Sequence, residues 1–260
     1  MATLAEQPIV PAPIVGDERF FVRAAMVMTV VVVTAFALNY LLGRSTFAAP
    51  LRVHLHAWLF MSWVGIYLLQ NIFIGRGKID LHRRLGWIAT AWIVPMIIVA
   101  FVVTIALVRL GHVLFFFRPL QFLFFGPIAV LTFAGLTVAA IAVRRRTEWH
   151  RRLHFCAMSM LLMPALGRLL PLPFLVPWAW EAAFAASMIF PLVGVWGDFR
   201  RTGHVHAAWY WGIAVMLGAF VLTETLTYTA PGLAIYHAVT AGSPGAAVAP
   251  LEFGSPPAGV

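Results

Sequence analysis

Seven apolar runs, each about the length of a bilayer crossing, dominate the chain. They lie at Ala24–Leu42, Val53–Ile74, Leu85–Val108, Gln121–Val143, Leu153–Leu172, Val176–Trp196 and Ala207–Thr229. A helix of about 20 apolar residues crosses a hydrocarbon core of roughly 30 Å. The runs are unbroken, whereas barrel strands alternate over about 10 residues. In lipid each segment must satisfy its own backbone, and a helix does so. The pattern therefore predicts an all-α, polytopic transmembrane helical bundle. Residues 1–23 form an arm, 24–229 the seven-helix domain, and 230–260 a tail. Gly, Pro, Ala and Ser crowd the tail from Ala241 onward, a composition that predicts flexibility.

Composition supports the same reading. The chain is 62% hydrophobic and 10% charged, where a soluble domain carries about 25% charged residues. The net charge of +9 would suit nucleic acid if the basic residues were clustered on one surface. They sit instead in short loops between apolar runs, where the positive-inside rule places them. The expected partner is the lipid bilayer, and nucleic acid is not expected. The arm and the second, fourth and sixth loops hold thirteen Lys and Arg; Arg44, Arg52, Arg109 and Arg118 are the four on the other side. That bias predicts a bacterial inner-membrane protein with a cytoplasmic N-terminus and an extracytoplasmic C-terminus. Residues 1–18 carry Pro8, Pro11, Pro13 and three acids, unlike the basic-then-apolar start of a cleaved signal. Cys156 is the only cysteine, which excludes an intramolecular disulfide and thiolate-built metal clusters.

One pattern is written twice. "KIDLHRRL" covers Lys78–Leu85 and "RTEWHRRL" covers Arg146–Leu153, 68 positions apart. Both read basic-x-acidic-x-His-Arg-Arg-Leu, and both stand at the predicted cytoplasmic starts of outward-running spans. Equivalent elements two spans apart and pointing the same way are the sign of a parallel helical-hairpin repeat. The acid in each copy can cap its helix and favours the positive end of the helix dipole. The arginines can snorkel to anionic head groups.

The histidines supply the candidate chemistry. His82, His150, His154, His204 and His206 all belong to the cytoplasmic level. His150 and His154, four apart, share a helix face and can chelate one metal, with His204 and His206 as further donors. Hydrated histidines in basic loops explain the same residues without a site. His56, one turn inside the second span, is the deeper of the pair His54 and His56, so it is expected to face the bundle. A second polar level lies outward. Arg168 follows Arg152 by sixteen residues, about 24 Å along a helix, and Glu181, Glu224, Arg118 and Gln121 reach a similar depth. A lone arginine in lipid is costly, so Arg168 is expected to pair with Glu181 or Glu224. That layer is either a structural ion pair or the lining of a pocket.

"HLHAWLFMSWVGIYLLQ", "LHRRLGW" and "HRRLHFCAMSMLLMPALGR" together resemble a group of bacterial polytopic membrane proteins, over about residues 50 to 170. That likeness brings no activity with it. A weaker likeness is to the ascorbate-reducible transmembrane cytochrome b family, in which histidines of neighbouring helices clamp two haems. It implies haem b, with His56, His82 and His154 as the matching ligands. The chain departs from that family in placing His82 and His150 at the membrane boundary. A redox membrane protein working with haem or quinone is thus the leading expectation. A small transporter and an accessory subunit of a larger membrane complex are the alternatives, with other subunits or a second copy of the chain as partners. The last span has no lysine for a retinal Schiff base, and no phosphate-binding loop or nucleophile elbow is present.

Overall fold

A computed structural model describes residues 15–255, and all regular structure among them is helical. In chain order the helices are α1 Val15–Leu41, α2 Leu51–Gly75, α3 Ile79–Leu110, α4 Pro119–Ala142, α5 Thr147–Leu169, α6 Ala179–Thr202, α7 Ala207–Thr227 and α8 Ala230–Thr240. Six of them, α1 to α4, α6 and α7, are long and apolar enough to cross a membrane. The protein is an integral membrane protein.

The fifth expected span differs from the other six. Helix α5 has 23 residues, about 35 Å at 1.5 Å per residue. Glu148, His150, Arg151, Arg152, His154 and Arg168 lower its hydropathy. It can carry them because it hardly meets lipid. Phe155 to Met160 are six consecutive buried residues, more than a full turn, so every face of its middle is covered. Helices α1, α4, α6 and α7 pack around it.

The bundle has two parts that share α4 and α5. Helices α1, α2, α3, α4 and α5 close a ring in which each packs on the next and α5 returns to α1. Helices α4 to α7 form a second, four-helix group. Neighbours alternate in direction, so the starts of α1, α3, α5 and α7 and the ends of α2, α4 and α6 share one face. That face carries the thirteen basic residues and is called the basic end below.

Two boundary expectations are corrected. The arm does not stop short of the first helix: α1 begins at Val15, and Asp17 in its first turn is buried. Residues 1–14 lie outside the described residues. The tail expected to be flexible is folded through most of its length. It forms α8 and then runs back along the end of the bundle opposite the basic end. There the Leu120 N–H donates to the Pro250 carbonyl at 2.9 Å and the Gly254 N–H to the Phe115 carbonyl at 3.0 Å. Gly245 lies so close to the Val108 carbonyl that a Cβ has no room. The small residues that suggested a loose segment are what let its backbone approach α3. Residues 256–260 lie outside the described residues.

Candidate functional site

The two copies of the repeated pattern occupy the same register. Lys78 immediately precedes α3 and Arg146 immediately precedes α5. Each acid is therefore the second helical residue and each histidine the fourth. Neither acid is the N-cap: Lys78 and Arg146 hold those positions, and neither makes a side-chain capping hydrogen bond. Asp80 is exposed, and Glu148 turns back to accept from Arg151 and Arg152 of its own helix.

The arginines diverge completely. Arg83 and Arg84 of the first copy are exposed. Arg151 and Arg152 of the second are gripped by carboxylates. Arg152, 4% exposed at its side chain, donates through Nε and Nη2 to the two oxygens of Asp198, each at 2.8 Å. Arg151 reaches Asp17 of α1. Arg201 lies 2.9 Å from Asp17 and 3.0 Å from Asp198. The Trp209 indole of α7 donates to Asp198 at 2.8 Å. Three arginines and three carboxylates thus tie α1, α5, α6 and α7 together at the basic end. Asp17 and Asp198 did not stand out in the sequence. The available signal was an isolated acid among arginines, as in "GDFRR".

The histidines behave differently, because the copies meet through them. The His82 and His150 rings are 6.2 Å apart between centroids, and His150 and His154 are 4.7 Å apart. Helices α3 and α5 are held apart by α4, so the side chains alone bridge the gap. The His150 Nδ1 is 2.8 Å from the Ala140 carbonyl. A carbonyl only accepts, so Nδ1 carries the proton, which in the neutral ring leaves Nε2 its lone pair. His82 has a buried Nδ1 with no partner.

The four-histidine metal set does not assemble. His206 caps α7, its Nδ1 accepting from the Ala208 N–H at 3.1 Å, and its ring lies 5.5 Å from that of Trp149. Burial and the nearby Arg152 charge hold His206 below the usual imidazole range, partly offset by Glu148 and Asp198. His204 is exposed, with Nδ1 3.0 Å from the Thr202 carbonyl. Among the described residues, no group of three His, Cys, Asp or Glu is placed to hold a metal ion.

The second polar level, at the end opposite the basic end, divides in two. Arg168 makes no ion pair with Glu181 or Glu224. It donates to the Pro164 carbonyl at 2.7 Å and lies 4.3 Å over the Phe36 ring. The reason is its side of α5: Arg168 faces α1 and α2, whereas both glutamates belong to the α4–α6–α7 group. His56 is its neighbour on α2, stacked on Phe60 at 4.3 Å with Nδ1 buried and unpaired. His54 instead reaches the Phe47 carbonyl at 3.1 Å. In the second group the Gln121 amide donates to Glu224 at 3.0 Å. Arg118 lies 4.4 Å over Phe253 of the tail and 5.7 Å over Tyr228. Glu181 has one buried oxygen without a partner. A cavity of about 240 Å³ opens beside Phe117, Pro119 and Phe253.

One further face escaped the sequence reading. His56, Trp63, Tyr67 and Gln70 recur on α2 at steps of seven, four and three. That spacing puts them on one side of the helix, and the signal was legible inside the apolar run.

No protein-family model, curated protein or solved structure matches the chain.

Proposed function

We propose that the protein is a redox protein of the bacterial inner membrane that holds a haem b at its basic, cytoplasmic end. The observation that carries the reading is the meeting of His82 with His150 and His154. Two helices that start with the same pattern deliver imidazoles to one place. The donor set suits a haem better than a bare ion. An ion needs three or more protein ligands in position, and no such group is formed among the described residues. A haem would bring most of its iron's ligands itself and would ask the chain only for one or two imidazoles, which His82 and His150 would supply.

The residues have separable tasks. His150 is oriented by its Nδ1–H bond to the Ala140 carbonyl, the arrangement by which ligating histidines are usually fixed. His82 is the partner from α3, and His154 lies one turn deeper on α5. The ion network next to them fixes the start of α5, and with it the aim of His150. A haem bound there would supply one-electron transfer. His56 belongs to the opposite end, fourteen residues and about 21 Å along α2 from Gln70. With Phe60 and Arg168 rather than an imidazole beside it, His56 has no part in this site.

The test is the visible spectrum of the protein purified in mild detergent, oxidised and then reduced with dithionite. A sharp band on reduction, lost in His82→Ala and His150→Ala but kept in His204→Ala, supports the assignment. A protein without such a band under haem-replete expression overturns it and returns the cluster to the transporter and subunit readings.

A further inference from the structure

We propose that the end of the bundle opposite the basic end carries a head-group site for an anionic phospholipid. The Arg168 guanidinium donates to the lipid phosphate, and Arg44 and Arg52 supply the charge that favours an anionic lipid. The starting point is a cation without a counter-charge. Among the described residues, Arg168 takes part in no ion pair. Its Nη1 donates to the Pro164 carbonyl at 2.7 Å, and its guanidinium lies 4.3 Å over the Phe36 ring. The rest of its planar fork of five N–H donors is unspent, and the residue is exposed. Arg152 shows how the same helix treats an arginine that the chain balances itself, with Asp17, Glu148 and Asp198 around it.

The depth of Arg168 selects lipid. Phe36 lies five residues before the end of α1, about 7–8 Å inside it. Helix α1 has 27 residues, about 40 Å against a hydrocarbon core of about 30 Å, so each end overhangs the core by about 5 Å. The charge over Phe36 therefore sits at the boundary where hydrocarbon gives way to head groups. Two residues from Phe36 and one from Arg168 stand the exposed Leu38 and Leu169, a surface that suits acyl chains. An arginine fork meets a phosphate through two parallel hydrogen bonds.

The sorting of charge at this end selects an anionic lipid. No Asp or Glu occurs between Glu18 and Asp80, or between Glu148 and Glu181. The ends of α1, α2 and α5 away from the basic end, with the loop joining α1 to α2, thus carry Arg44, Arg52 and Arg168 and no carboxylate. Glu181, Glu224 and Glu252 belong to α6, α7 and the tail. The positive-inside bias thins Lys and Arg from this side of a membrane, yet three arginines stand together on it. A zwitterionic head group would bring its ammonium among three cations with no acid to receive it. Phosphatidylglycerol brings the same phosphate with a net negative charge.

The experiment titrates the full chain, stripped of lipid in mild detergent, with short-chain phosphatidylglycerol or phosphatidylethanolamine. Native mass spectrometry counts the bound lipids. The basic end binds lipid in every variant, so the readout is the difference from wild type. Arg168→Gln is expected to lose one phosphatidylglycerol, which returns only at about tenfold higher concentration. Arg44→Gln with Arg52→Gln is expected to keep that lipid but to lower the preference for phosphatidylglycerol over phosphatidylethanolamine severalfold. Equal phosphatidylglycerol counts for wild type and folded Arg168→Gln overturn the proposal. Displacement of the lipid by an equal concentration of inorganic phosphate overturns it too, because the site would then serve a soluble anion. If Arg168→Gln fails to fold, the Arg44/Arg52 pair decides, and an unchanged lipid preference there overturns the proposal. The site shares no residue with the imidazole cluster, so it stands or falls apart from the haem reading.

Discussion

Asp198→Asn is the sharpest probe of the basic end. The substitution keeps the shape of the side chain and removes its charge. In the native protein this carboxylate, 2% exposed, accepts the side-on pair from Arg152 at 2.8 Å and the Trp209 indole at 2.8 Å. An asparagine offers one oxygen where two were used, and turns an amide N–H₂ toward guanidinium donors. Removing one partner of a buried ion pair costs about 3–5 kcal/mol. Glu148 and Asp17 remain beside Arg152, so the lower figure applies, about 3 kcal/mol. For a chain of this size each kcal/mol moves the midpoint by about 2–4 °C, which gives a fall of about 6–12 °C. The assay is built into the molecule. Cys156 is the only cysteine and is fully buried, so a maleimide that fluoresces on reaction with a thiol reports unfolding in detergent. The control is Arg83→Gln with Arg84→Gln, the equivalent positions of the first copy. Both are exposed, and surface changes of that kind stay within about 0.5 kcal/mol. A fall of under about 2 °C for Asp198→Asn, or an equal fall for the Arg83/Arg84 pair, refutes the division of labour between the copies.

Three further outcomes are expected. Stability should decline as pH falls below about 6.5, the ordinary imidazole value, because the unfolded chain takes a proton there while folded His206, held below that range by burial and Arg152, resists it. Melting from pH 7.5 to 5 in wild type and His206→Asn checks this; asparagine keeps the cap, and the variant should lose part of the decline. Gly212→Ala would drive a methyl into Cys156, and Gly194→Ala one into the Trp209 ring; each should cost about 1–3 kcal/mol by overpacking, read by the same thiol assay. The tail should be ordered: amide exchange at Leu120 and Gly254, which hydrogen-bond Pro250 and Phe115, should be slow, and Gly245→Val should speed it by displacing the tail from α3.

How much of this was legible in the sequence depended on what each signal measures. Hydropathy measures contact with lipid, so it found α2, α4 and α7 almost to their ends, but stopped six to nine residues short where α1 and α3 begin and α6 ends on polar residues. It treated α5 as one more crossing, although α5 meets other helices on all sides. Charge bias found the basic end because it depends only on loop order. Pairing was not legible. Arg168 was assigned a carboxylate because Glu181 and Glu224 share its depth, yet depth says nothing about which side of α5 a residue faces. The α2 row was missed for the opposite reason. Trp63 and Tyr67 count as apolar in composition, and only their seven, four, three spacing shows that they line one face with His56 and Gln70.

The repeated pattern shows why one short sequence takes two roles. A motif at a helix start fixes register, so both copies present the same residues at the same height. What those residues meet is set by the helix's place in the bundle. Helix α3 lies on the rim of the ring, and its Arg83 and Arg84 find only the surface. Helix α5 lies where the ring and the four-helix group join, and its Arg151 and Arg152 meet Asp17 and Asp198 from the helices around it. The histidine sits two residues before the second arginine, so on a helix it points about 200° away from it. On α5 that turns His150 toward α4 and the ring while Arg152 turns toward α6 and α7. The same rotation on α3 brings His82 inward to meet His150 as Arg84 turns outward. Helical geometry therefore joins the copies at their histidines and parts them at their arginines, and replacing either histidine should disturb the cluster without loosening the ion network.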